Sequence, residues 1–124
     1  MIDFQNAKYL KLKPVEDKSV IKLIAPILID GEVIVSAFKS VRDSVIFTNK
    51  RIIAINIQGM TGTKKDFTSL PYKRISAYCI ETAGVFDMDS ELELYFSGLG
   101  KVRFEFVARA NVSEICKIIS SHLL

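Results

Sequence analysis

The side chains that could do chemistry in this 124-residue chain are few and poorly placed for it. The only histidine, His122, is third from the C-terminus, where terminal residues are poorly held. A Ser-His-Asp or Cys-His pairing needs a fixed base, and so does metal ligation through His and Cys. The two cysteines, Cys79 and Cys116, have no Cys-x-x-Cys spacing and lie far apart in the chain. They fall on an apolar strand pattern and an apolar helix pattern. That reads as two buried, reduced thiols in a cytoplasmic protein, with a disulfide between them as the alternative. Asp87, Asp89 and Glu91 alternate like the start of a calcium loop, but no glycine follows at the sharp turn such a loop needs. Solvated loop charge is the expectation there. Phosphate-cradling glycine motifs are absent. The residues therefore predict no catalytic group, no metal, no cofactor and no enzyme.

Charge placement says more than charge total. The net charge of +3 is weak, and nucleic-acid binding calls for a denser basic stripe. Between Lys64 and Arg74, however, Lys64, Lys65, Lys73 and Arg74 face only Asp66. From Ala77 to Gly100 there is no basic residue, and Glu81, Asp87, Asp89, Glu91 and Glu93 make that stretch acidic. Nearly half the residues are apolar, enough for one domain with its own core. The N-terminus has no basic region followed by an apolar one, so no signal peptide is expected. The longest apolar run, Leu23–Ile29, is far short of the ~20 residues of a membrane span.

The elements that must carry these groups follow from periodicity. Residues 15–29 predict an N-terminal helix, with Val20, Leu23, Ile24, Ile27 and Leu28 on one face. Pro26 counts against its later part. From Glu32 the period becomes two. Glu32–Lys39, Ser44–Thr48 and Arg51–Ile57 read as strands, the last two as a hairpin turning at Asn49–Lys50. Their apolar residues fall on both faces, with Ile46 and Ile52 opposite the main set. Thr63–Ser69 reads as a lysine-bearing edge strand, Leu70–Arg74 as a corner, Ile75–Thr82 as a strand and Ala83–Ser90 as a loop. Glu91–Phe96 and Lys101–Phe106 alternate cleanly around the loop Gly98–Leu99–Gly100. Asn111 caps a closing helix with an apolar stripe of Val112, Ile115, Cys116, Ile119 and Leu123. The class is mainly β with α. Seven antiparallel strands form a partly open barrel or two packed sheets, capped by a C-terminal amphipathic helix.

Four segments resemble the bacterial pleckstrin-homology-like (PH-like) domain family: Thr48–Ile53, Gln58–Gly62, Ser69–Ile75 and Glu81–Asp89. The resemblance runs from the first helix to the last. It implies a single-domain PH-like barrel. It also implies assembly into cyclic rings, often five-fold for single-domain members, and a protein-interaction role with no established enzymatic activity.

On that basis the expected function is a non-enzymatic, ring-forming interaction or scaffold module. Its partner would meet polar groups at turns and strand ends: Lys39, Arg42, Asp43, Lys50, Arg51, Lys64, Tyr72, Lys73, Glu81 and Asp89. The apolar surplus at Ile46 and Ile52 would pack between subunits, and the basic segment Thr63–Arg74 against the acidic Glu81–Glu93 would set the register. The other reading of Ile46 and Ile52 is that a helix of the same subunit covers them. The alternative function is a peripheral membrane domain binding anionic lipid headgroups. Phosphoinositide-binding PH domains resemble one another in a basic first hairpin, and this chain offers Lys39, Arg42, Lys50 and Arg51 there. Its short loop and Asp43 beside Arg42 argue against a multiply charged ligand.

Overall fold

The computed structural model describes residues 9–82, 89–107 and 110–124. Strand β1 (Tyr9–Val15) leads into a broken helical segment: a 3₁₀ turn at Asp17–Ser19, a single turn α1 (Ile21–Ile24) and a second 3₁₀ turn at Ala25–Ile27. Strands β2 (Ile34–Lys39), β3 (Ser44–Thr48), β4 (Arg51–Gln58) and β5 (Lys64–Pro71) follow. A 3₁₀ corner at Tyr72–Arg74 leads to β6 (Ile75–Thr82), β7 (Ser90–Phe96) and β8 (Gly100–Phe106), and α2 (Val112–Leu123) closes the chain. The expected loop Ala83–Ser90 lies mostly outside the described residues.

The strands form one sheet in the order β5-β4-β3-β2-β1-β8-β7-β6. All neighbours are antiparallel except β1 and β8, which run parallel. Strand β1 therefore joins two antiparallel meanders, β2 to β5 and β6 to β8, that would otherwise be separate sheets. It is an eighth strand where seven were expected. The expected helix over 15–29 is also corrected. Val15 belongs to β1, and Pro26 sits in the first turn of the second 3₁₀ segment, where its missing N–H is tolerated.

The sheet curls around a core of Phe38, Phe47, Phe104 and Phe106 with Leu12, Ile52 and Leu94. Its rings meet edge-on, Phe38 against Phe106 at 4.9 Å and 68°, the geometry aromatic quadrupoles favour. Helix α2 buries Val112, Ile115 and Ile119 against that core. At its start the Asn111 side chain accepts the Glu114 N–H at 3.4 Å, as the sequence expects of a cap.

A second, smaller core lies on the other side of β2 to β4. There Val20 and Ile24 of the helical segment cover Ala37, Ile46, Ile53 and Ile55. This settles the two-sided apolar pattern of the hairpin. Ile46 is fully buried beneath the helical segment and Ile52 is fully buried in the main core. The expectation that both pack between subunits is corrected, because the chain itself covers each face of the sheet. Each such side chain contributes up to about 2 kcal/mol by leaving water.

Candidate interaction surface

The groups available for interaction sit at the Thr48–Arg51 turn, at the two ends of the sheet and in the groove beside α2. The turn is a structural hub. Glu32 has no exposed side-chain surface and pairs with Arg51, Nε to Oε2 at 2.9 Å and Nη2 to Oε1 at 3.0 Å. Thr48 donates to the same carboxylate at 2.7 Å, and the Ile29 N–H donates at 3.1 Å. Burial by itself raises the pKa of Glu32. The hydrogen bonds from Arg51, Thr48 and Ile29, with the charge of Arg51, outweigh it and hold the group below its ordinary value. Arg51 also reaches the Ile27 carbonyl at 2.6 Å and the Ser69 hydroxyl at 3.1 Å. Asn49 accepts from the Val33 N–H and donates to the Gly31 carbonyl. The turn therefore clamps the end of the helical segment onto the sheet.

Several residues expected to face a partner are used internally here. Tyr72 is fully buried, and its hydroxyl donates to the Thr48 carbonyl at 2.6 Å. Its placement on an outer surface is corrected, since the ring fills the space between the turn and α2. Burial, then the charge of Glu32, pushes its phenol far up. Asp43 accepts from the Ile57 N–H and the Asn56 amide, and Arg42 donates to the Gly59 carbonyl. Lys39, Lys50, Lys64, Lys73, Glu81 and Asp89 are exposed. Lys39 and Arg42 lie at one end of β3, and Lys50 and Arg51 at the other. Five residues of strand, about 16 Å, separate the two pairs, so they do not converge on one headgroup.

His122 is not a frayed end. It lies within α2, its ring centre is 5.0 Å from that of Tyr72, and Nδ1 meets the Ile118 carbonyl at 2.9 Å. The neighbouring Ser121 hydroxyl donates to that same carbonyl, so both side chains are tied to the last turn of α2. Cys79 is exposed and Cys116 half-buried, both as free thiols, so Cys79 departs from the expected buried state. Among the described residues no group of three His, Cys, Asp or Glu side chains is arranged to hold a metal ion. Asp87 of the calcium-like spacing lies outside them, and Glu91 is engaged by Arg103 at 2.7 Å.

The sheet ends in β5 on one side and β6 on the other. The basic and acidic segments found in the sequence are these two edges and their surroundings. Lys64 and Lys65 open β5, with Phe67 exposed behind them. Glu81 lies next to the last residue of β6, in a row with Glu91 of β7 and Glu105 of β8. Between β6 and α2 runs a groove of about 410 Å³ lined by Tyr78, Cys116, Ser120 and Leu124. Tyr78 is fixed there by a 2.6 Å hydrogen bond to the Ser120 hydroxyl.

The model of the bacterial PH domain family matches residues 3–123 of this chain. The chain belongs to the bacterial PH domain family. An uncharacterised Bacillus subtilis protein, YjqA, is 42% identical over 94% of this chain and 90% of its own length. A second, YozO, is 36% identical over 82% and 88%. Among solved structures, a protein with a pleckstrin-homology domain from Shewanella loihica is 38% identical with TM-score 0.78, covering 93% of this chain and 99% of that one. A pleckstrin homology domain from Shewanella amazonensis is 40% identical with TM-score 0.64, covering 96% and 93%. The expected PH-like fold, a partly open barrel capped by a C-terminal helix, is therefore correct. Within this bacterial PH domain, sequence reasoning missed Glu32 and Phe67. Glu32 looked like an ordinary strand start after Asp30–Gly31. Phe67, a lone aromatic in a lysine-bearing edge strand, carried a usable signal.

Proposed function

We propose that this bacterial PH domain is a non-enzymatic interaction module that assembles with copies of itself into a closed ring and presents a repeated polar surface to a protein partner. One observation carries this reading: among the described residues the sheet ends in two edge strands, β5 and β6, and they are unlike. A contact between unlike patches repeats from copy to copy and closes into a ring when the rotation permits. The family resemblance sets the expected number of copies at five. The opposed charges of the two edges supply orientation more than affinity. The exposed groups left to a partner, Lys39, Lys50 and Lys73 among them, would recur around such a ring. The free thiols fit a reducing compartment such as the cytoplasm.

The test is the mass in solution by light scattering. A single species of three or more 13.9 kDa chains supports the reading, and a monomer or dimer at micromolar concentration overturns it. The lipid reading is weaker, because Arg42 and Arg51 are already engaged within the chain. Sedimentation with anionic vesicles at low salt would revive it.

A further inference from the structure

We infer that β5 of one copy adds antiparallel to β6 of the next, with Phe67 opposite Tyr78 and Lys64 opposite Glu81. The inference rests on the self-association proposed above and names the surfaces that carry it. Among the described residues, each edge strand is hydrogen-bonded to a neighbouring strand on one side only. The direction of its backbone groups then decides which residues are free to bond outward.

On β5 the direction follows from two hydrogen bonds. The Tyr72 N–H donates to the Lys50 carbonyl, while the Ile57 N–H turns the other way, to Asp43 at 3.0 Å. Even-numbered residues of β5 therefore face β4, and Lys65, Phe67 and Ser69 face outward. Pro71, which has no N–H, falls on the outward side, where an edge strand tolerates it. On β6, Ser76 donates to the Tyr95 carbonyl at 2.9 Å, so that carbonyl faces β6. Its register partner Ala77, with Cys79 and Glu81, then faces β7. Tyr78, Ile80 and Thr82 are left facing outward.

Outward residues must meet outward residues. That leaves two antiparallel registers that use most of both strands. One sets Phe67 opposite Ile80 and forces Asp66 against Glu81, a like-charge pair that opposes pairing. The other sets Phe67 opposite Tyr78 and Lys64 against Glu81. Only the second is complementary in charge. Residues directly opposite in such a pair point to the same face, so Phe67 would lie over Tyr78 at the mouth of the groove beside α2. That places an aromatic side chain, 41% exposed in the single chain, against the apolar wall of the groove and the fully exposed Leu124. Backbone hydrogen bonds would give the contact its strength and the aromatic anchor its register, as in other strand-addition complexes.

The experiment places cysteines at Lys64 and Glu81, singly and together, on a Cys79→Ser, Cys116→Ser background. Under mild oxidation the double variant should form covalent multimers up to the size of the ring, and each single variant should stay monomeric on a denaturing gel. The companion variant, Phe67→Asp, should keep its circular dichroism and weaken self-association by about a hundredfold, the scale of losing a buried aromatic anchor. If the wild type has ring mass but the double variant stays uncrosslinked, or Phe67→Asp assembles unchanged, the edge pairing is wrong while self-association stands. If the wild type is monomeric, the reading beneath it fails as well.

Discussion

Replacing Arg51 by methionine should reverse the way stability responds to acid. Arg51 supplies two hydrogen bonds to the Glu32 carboxylate, whose side chain is fully buried. Methionine keeps much of the packing and removes the charge. Breaking a buried pair costs about 3–5 kcal/mol because the remaining charge is uncompensated. The lower end applies here, since Arg51 is itself 18% exposed and Thr48 and Ile29 still donate to the carboxylate. About 3 kcal/mol is expected at neutral pH, a fall in melting temperature of about 10 °C for a domain of this size. In the wild type Glu32 titrates below its ordinary value, so its stabilising contribution is complete above that value and is lost as pH falls through the folded pKa. In the variant, burial acts with far less opposition and the folded pKa moves above the ordinary value. The penalty is then full at neutral pH and is relieved as the solution is acidified. Urea denaturation of both proteins between neutral pH and pH ~4.5 reads this directly: the stability gap should narrow with falling pH. A gap below about 1 kcal/mol at neutral pH, or one that widens on acidification, would refute the account of the hub.

Three other outcomes follow from the same packing. Tyr72→Phe should cost about 1–2 kcal/mol by removing the hydrogen bond to the Thr48 carbonyl, and in the wild type ultraviolet titration should find Tyr72 un-ionised until the protein unfolds in alkali. Ile46→Ala should destabilise by about 3 kcal/mol through the cavity it leaves, measured by urea melts, while the mass in solution stays that of the wild type. A thiol-reactive dye should label exposed Cys79 well before Cys116, whose thiol is pushed up by burial; equal rates would contradict the placement of α2.

Much of the architecture is legible locally because the signals are local. Strands β7 and β8 show period-two alternation around a short loop, and α2 shows a stripe and a cap. Strand β1 was missed for a physical reason. Its seven residues carry Pro14, and Lys11 has a positive φ of 55°, so local propensity does not favour a strand. Pairing with β8, some ninety residues later (Tyr9 opposite Phe104), is what holds it extended. The helical stretch misled in the opposite direction: Val20, Leu23 and Ile24 have helical spacing, but Pro26 limits α1 to one turn. Polar residues at corners were expected to face solvent, yet Tyr72 and Arg51 point inward to partners 24 and 19 residues back. The apolar surplus at Ile46 and Ile52 was correctly seen and wrongly assigned, because no local pattern says which segment will cover a second face.

The parallel pairing of β1 with β8 also has a consequence for synthesis. Strand β1 leaves the ribosome some ninety residues ahead of its second neighbour. At 5–20 residues per second the interval is roughly 5–20 s. During that time β1 to β5 can form their antiparallel meander, but one side of β1 stays unpaired and half the main core stays open to water. The nascent chain therefore carries an open strand edge until β8 emerges, and termination anywhere between β1 and β8 leaves a fragment that cannot pair both sides of β1.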